Sequence, residues 1–343
     1  MKKIHNVKLG RITNCQICGK KKLLRGINLG KQPPCDSILE KKSQKEEKFP
    51  LNFMFCGNCF LGQIDYAVPP KTLFFRKYPY RSGITKTLVE KLFRTSEMAV
   101  KKLNIPKKSL CVDIGSNDGT LLKGFKRFGF KVLGVEPTNI SKIANEDGIK
   151  TLQLFFNEQT ASNILEKFGP SYIITATNVF AHTPNLYSII KGIKKLLHND
   201  GVFISESHYL INLFQTLQYD SIYHEHLKYY SLKSLQILFD FYDLEIFDVE
   251  FIKNYGGSIR VYTSRKGRYK IKNIVNDSLD AEKKFFKNPK LTLENFSTAT
   301  KNNKKKVLEI IYEYKKKNKR VIGIGCPGRS STFLNYCKID EKK

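Results

Sequence analysis

The chain has 343 residues, 41% hydrophobic and 27% charged, which suits a globular protein with a sizeable core and two or three domains. No apolar run opens it and none approaches the roughly 18 residues of a membrane span, so a soluble cytoplasmic protein without signal peptide or membrane anchor is expected. The formal net charge is +29, but the excess is mostly lysine spread along the chain among many Ile, Asn and Phe, which reads as base-composition bias rather than a nucleic-acid surface.

In chain order, residues 10–75 are turn-rich and carry Cys15-x-x-Cys18 and Cys56-x-x-Cys59. Without an export signal, such thiols read as metal ligands or buried side chains before disulfides. Two knuckles of this spacing place four thiolates around one Zn²⁺, and with all four positions filled by cysteine the site is structural, not catalytic. Cys35, Cys111, Cys326 and Cys337 lack partners at ligand spacing. From Thr85 to Leu103 the apolar residues recur at helical spacing, ending before Pro106.

The texture then changes to strands alternating with helices, the mark of a parallel sheet covered on both faces. Short buried-strand runs are read at Ser109 to Gly115, Lys131 to Pro137, Lys150 to Phe156, Tyr172 to Asn178 and Gly201 to Ser207. Leu244 to Ile252 and Ser258 to Arg265, joined by a short glycine link, make an antiparallel hairpin at the sheet's end. Residues 270–320 are lysine-rich and helical in pattern. Residues 320–337 read as one more strand, a glycine turn and a helix start, which cannot bury their own apolar faces alone.

The loop Asp113-Ile-Gly115-Ser-Asn117-Asp118-Gly119 follows the first of these strands and opens a helix. Gly115 lets backbone approach a ligand at a helix N-terminus. A pyrophosphate-binding loop wants G-x-G-x-x-G, whereas acids at Asp113 and Asp118 suit a cationic amino-acid ligand. Glu136 ends the next strand, where a carboxylate can accept both ribose hydroxyls. Together these favour S-adenosylmethionine over NAD. Asn178-Val-Phe-Ala-His182 ends the fourth strand, on the cleft side of the sheet. Tyr223-His224-Glu225-His226 and Lys228-Tyr-Tyr-Ser231 follow the fifth. That cluster is open to three readings from its residues alone: acid–base catalysis, a His-x-His metal pair, or packing.

Taken together, the CxxC…CxxC module, VDIGSNDGTLL, GVEP, NVFAH, YDSIYHEHLKYYSL, YGGSIR and GIG…TFLNY resemble the nucleotide-sugar C-methyltransferase family. The resemblance implies a Rossmann-like seven-stranded methyltransferase sheet, an α/β fold, behind a zinc module (10–75). The methyltransferase domain would span 76–268, and a C-terminal α/β domain (269–343) would be shortened relative to the family. It implies S-adenosylmethionine as methyl donor, structural zinc, a keto nucleotide-deoxysugar as substrate, and a monomer or homodimer. A nucleic-acid or membrane partner is disfavoured. By the family's pattern His226 is the base that forms an enolate, Glu225 orients it, and Tyr223 lies near the enolate oxygen. His182 and Tyr78 or Tyr80 face the same pocket. The cofactor set is Asp113, Gly115, Asn117, Gly119, Glu136 and Asn178, and Arg260 is a pyrophosphate or cleft contact. Two departures stand out: Tyr255 replaces the family's usual histidine before GGS, and the last glycine turn reads Cys326-Pro-Gly-Arg-Ser. The rival readings are a nucleic-acid methyltransferase and an inactive relative with a binding role.

Overall fold

A computed structural model describes residues 9–35, 41, 43–73, 80–253 and 256–340. Tyr78 and Tyr255 lie outside these described residues. The N-terminal part contains β1 (Gly10–Arg11), β2 (Leu24–Gln32), β3 (Phe49–Phe55), β4 (Gly62–Ile64), β5 (Tyr66–Ala67) and the short α1 (Pro70–Leu73). β2, β3 and β4 form an antiparallel sheet whose inward residues, among them Ile27, Leu51, Phe53 and Phe55, are buried. Alternation of apolar and polar residues along β2 and β3 gives each strand one wet face.

After α2 (Lys86–Lys102) come β6 (Leu110–Ile114), α3 (Thr120–Arg127), β7 (Lys131–Val135), α4 (Ile140–Glu146), β8 (Thr151–Leu152), α5 (Glu158–Phe168), β9 (Ser171–Thr177), α6 (Leu186–Leu196) and β10 (Leu197–His208). Then follow α7 (Leu210–Gln215), β11 (Lys228–Tyr229), α8 (Leu232–Asp240), β12 (Leu244–Ile252) and β13 (Ser258–Arg265). The main sheet has the order β12-β13-β10-β9-β6-β7-β8. β6 is buried along its whole length, as a parallel strand covered on both faces must be. The hairpin expected at the sheet's end forms, with β13 antiparallel to both β10 and β12. The strand order reverses between β6 and β9, and open α/β sheets bind ligands beyond the carboxyl ends of the strands at such a point.

β11 leaves the main sheet altogether. It pairs antiparallel with β4, completing a four-stranded sheet of order β11-β4-β3-β2. Two residues from the middle of the chain are thus a strand of the N-terminal sheet.

Beyond β13 lie α9 (Asn273–Phe285), α10 (Pro289–Lys316) and α11 (Ser330–Cys337). Glu282 of α9 is buried and its carboxylate accepts from the backbone amides of Leu232 and Lys233, capping α8. The strand expected at residues 320–325 does not form. No strand edge lies beside it among the described residues, and Ile324 is 98% exposed. The segment read as a strand at Lys150 to Phe156 shortens to the two residues of β8.

Candidate active site at the switch crevice

The four thiols of Cys15, Cys18, Cys56 and Cys59 lie within 4.8 Å of one another. The Cys15 and Cys59 sulfurs are 3.4 Å apart, and those of Cys18 and Cys56 3.5 Å. Zn–S bonds of about 2.3 Å in a tetrahedron need sulfurs about 3.8 Å apart, so the constellation fits zinc and leaves no fifth position. Glycine at 19, with φ +72°, turns the first knuckle, and the amide of Gly19 closes it onto the Cys15 carbonyl.

The glycine loop after β6 builds the second feature. Gly115 has φ +69°, and a Cβ there would come within 2.6 Å of Val179 Cγ2, so only glycine lets the loop close against the end of β9. Gly119 and Asn117 also take left-handed conformations, and Gly119 opens α3. Glu136 is buried at the end of β7, where Oε2 accepts from the Asn117 amide at 3.0 Å and Oε1 from the Thr138 amide at 2.8 Å. Two backbone donors fix the carboxylate and leave its remaining lone pairs for ligand hydroxyls.

Asp113 is 3% exposed, and its Oδ1 accepts the Thr175 hydroxyl at 2.6 Å. Burial pushes its carboxyl up to about 7; the Thr175 bond opposes this and the nearby Glu136 charge adds to it. Asp118 faces the other way. Its Oδ1 accepts the Thr120 hydroxyl at 2.6 Å and the Thr120 amide at 3.3 Å at the start of α3, and its Oδ2 accepts the Gly83 amide at 2.7 Å. The Asn117 side chain accepts from the Ser82 amide and donates to the Tyr80 carbonyl. Residues 80–83 are therefore stapled over the loop by their backbone, while the Tyr80 side chain is 45% exposed.

The third feature gathers histidines from three segments. His182 follows β9, and backbone groups of Glu225 and Asn178 favour the protonated form of its ring against the effect of burial. Asn178 itself takes φ +57° and donates its amide to the Glu206 carbonyl. The rings of His182 and His226 meet edge to face at 4.9 Å. His226 Nδ1 lies 3.3 Å from the Ser221 carbonyl, and Nε2 2.9 Å from the Tyr223 hydroxyl. A carbonyl can only accept, so Nδ1 carries the proton and Nε2 offers its lone pair. Burial first, then the neighbouring His182 and His208, hold the His226 ring well below the ordinary histidine range. Burial likewise lowers His182 to about 4.

Several placements differ from expectation. Glu225 Oε1 meets the Cys35 thiol at 3.1 Å, while Ser221 supplies the group on His226 Nδ1. His224 is buried, with Nε2 3.1 Å from the Pro50 carbonyl and its ring edge on Phe49, so it binds the Tyr223–His226 segment to the N-terminal sheet. Arg260 is not a cleft contact: it is buried, with Nε and Nη2 on Glu206 Oε2 at 3.0 and 2.7 Å and Nη1 on Glu250 at 3.2 Å. A charge so paired has no capacity left for a pyrophosphate.

Sequence reasoning missed His208, at the carboxyl end of β10, whose Nε2 meets Gln218 Oε1 at 3.0 Å. Its position on the same sheet edge as Asn178 was the available signal. It also gave no role to Lys228, which is buried on β11, where burial lowers the ammonium to about 7 and a charged Cys15 opposes that.

The comparisons with known proteins follow the same plan. Residues 15–74 match a family model for a zinc-binding domain, 83–249 one for a methyltransferase domain, and 253–343 one for a C-methyltransferase C-terminal domain. The chain is 28% identical over 336 residues to the C-methyltransferase NovU of Streptomyces niveus, covering 97% of this chain and 80% of that protein. The chain is an S-adenosylmethionine-dependent C-methyltransferase. A shorter match, 34% identical over 102 residues, is to a ubiquinone biosynthesis O-methyltransferase of Actinobacillus pleuropneumoniae, covering 26% of this chain and 42% of that one. Among solved structures, an S-adenosylmethionine-dependent methyltransferase from Clostridium acetobutylicum aligns with TM-score 0.42 and 14% identity, over 52% of this chain and 92% of that one. A magnesium protoporphyrin IX methyltransferase from Synechocystis with bound SAH aligns with TM-score 0.41 and 11% identity, over 55% of this chain and 90% of that one.

The C-methyltransferase takes S-adenosylmethionine as cofactor and zinc as structural metal. Among the described residues, no helix is long and apolar enough to cross a membrane.

Proposed function

We propose that this C-methyltransferase acts on a keto nucleotide-deoxysugar, methylating the carbon beside the ketone through an enolate. The observation that carries the reading is the Tyr223–His226 pair, with Nδ1 of His226 fixed by Ser221 and Nε2 turned to the tyrosine hydroxyl. A ketone acidifies the neighbouring C–H bond, and a neutral imidazole held at a cleft can remove that proton.

S-adenosylmethionine supplies an electrophilic methyl group. Nε2 of His226 accepts the proton from the sugar carbon, and the C–H electron pair moves to the ketone oxygen as enolate. Tyr223, displaced from Nε2 by the sugar, donates its hydroxyl to that oxygen. The enolate carbon would then bond to the methyl as its C–S bond breaks, the electron pair staying on sulfur to leave S-adenosylhomocysteine, and the ketone would re-form. The Ser221 carbonyl stabilises the protonated ring through Nδ1–H. His182, neutral and packed against His226, keeps a second positive charge away from the base. Asp113, Gly115, Asn117, Gly119, Glu136 and Asn178 form the cofactor site in this reading, with Glu136 holding the ribose.

The test is incubation of the full chain with methyl-labelled S-adenosylmethionine and a panel of keto nucleotide sugars, set against bulk tRNA. Label on a sugar carbon, with exchange of the target proton in deuterated water, is the expected result. Label on tRNA alone would overturn the reading in favour of a nucleic-acid methyltransferase.

A further inference from the structure

Lys228 is 1% exposed, and among the described residues no other lysine is buried. An ammonium has three donors and a high cost of leaving water. Here Nζ donates to the Thr183 carbonyl at 2.5 Å, and no carboxylate lies within ion-pair distance among the described residues. A buried cation in that state needs a counter-charge.

Strand register shows where it is. Lys228 on β11 stands opposite Gln63 on β4. Side chains of a cross-strand pair share one face of the sheet. On that face the Gln63 carboxamide reaches the first cysteine knuckle, accepting the Gln16 amide at 2.9 Å and donating to the Asn14 carbonyl at 3.1 Å. Gln16 returns the contact, donating its side chain to the Leu227 carbonyl beside Lys228. Lys228 therefore lies on the face of the sheet that carries the Cys15 knuckle, where a thiolate held by zinc would attract its ammonium. Four thiolates around one Zn²⁺ keep a net negative charge, and here Cys15, Cys56 and Cys59 are buried.

We propose that Lys228 is the buried counter-cation of the zinc tetrathiolate. Through Thr183 it also fixes the loop that carries His182, making it a positioning residue that ties the metal module to the histidine cluster. Thr183 directly follows His182, and Lys228 stands two residues after His226, so one side chain spans the metal site and both histidine segments. The zinc is therefore coupled to the geometry of the reaction site, although it takes part in no chemical step.

The experiment uses the full chain carrying Lys228→Met, which keeps the stem and removes the charge, and Lys228→Arg, which restores it. Zinc release to a chelator, the thiolate-to-metal charge-transfer band of the cobalt-substituted protein and the nitrogen-15 signals of His182 are read together. Lys228→Met should release zinc about 10- to 100-fold faster, the effect common for outer-shell partners of a metal. It should also shift the cobalt band and move the His182 signals, and Lys228→Arg should restore all three toward the unmodified protein. Unchanged release and an unchanged band in folded Lys228→Met overturn the proposal. If Lys228→Met does not melt cooperatively, Lys228→Arg decides: slow release supports the proposal and fast release overturns it. None of these readouts needs a sugar, so failure here is separate from failure of the substrate reading.

Discussion

The hydroxyl of Tyr223 lies 2.9 Å from Nε2 of His226, and the Ser221 carbonyl on the ring's other nitrogen sets the direction of that bond. The resting site therefore holds a neutral imidazole with its basic nitrogen covered by a tyrosine. In the proposed reaction a ketone oxygen draws the tyrosine away and uncovers the base.

His226→Asn should abolish both exchange of the target sugar proton and methyl transfer, because the enolate must form before the methyl can move. S-adenosylmethionine should still bind. Tyr223→Phe should slow both steps by about tenfold to a thousandfold, the range for loss of an oxyanion donor. Near-normal exchange in His226→Asn would place the base elsewhere, with His182 next.

The pH dependence follows from the direction of the histidine shifts. His226 is held well below the ordinary range, so kcat/KM should keep its value below pH 6.5 before its acid limb falls. For His182 the folded value is depressed from 6.5 to about 4, so its stability contribution is present above pH 6.5 and lost as pH falls toward 4. Urea unfolding of His182→Phe should show a shallower loss across that window. An acid limb at pH 7 or above would contradict the assignment.

Asp113 has the opposite sign. Its folded value is raised from 3.8 to about 7, so its contribution is full below pH 3.8 and lost as pH rises through 7. Asp113→Asn, which can keep the acceptor for Thr175, should unfold at higher urea than the unmodified chain at pH 8. It should show no such advantage at pH 4. Equal midpoints at pH 8 would remove the argument.

Glu136→Ala should weaken S-adenosylmethionine binding by about 1–3 kcal/mol, since it strands the Asn117 and Thr138 amides and removes the ribose acceptor. Calorimetry checks this; affinity within error of the unmodified chain would refute the ribose role.

Cys56→Ser should lower zinc content and soluble yield together, because metal binding and local folding are one equilibrium. Because β11 is a strand of the same N-terminal sheet, the His226 segment should lose amide-exchange protection as well. A folded, active chain with no zinc by elemental analysis would be the contrary result.

The sequence by itself determined the local features. Four cysteines at knuckle spacing, a glycine loop after a buried strand, Glu136 at the next strand's end and the YHEH string are all contiguous patterns. Each rests on short-range stereochemistry: a turn that needs glycine, a period that buries one face, a fixed spacing of ligands. That is why the metal module, the parallel sheet, its terminal hairpin and the glycine loop were legible there.

Only the tertiary structure decided which neighbours those residues meet. Arg260 pairs with Glu206, Ser221 rather than Glu225 sits on the His226 ring, and Lys228 is buried with its ammonium on the Thr183 carbonyl. The sequence 320–325 has strand character yet stays outside every sheet, because a strand needs an edge to bond to. β11 shows the same rule from the other side: two residues cannot declare a strand by pattern, but the open edge of β4 takes their amides and carbonyls. These outcomes depend on pairings between residues tens to hundreds of positions apart, and on the cost of burying a charge or backbone group without a partner, which no local pattern encodes.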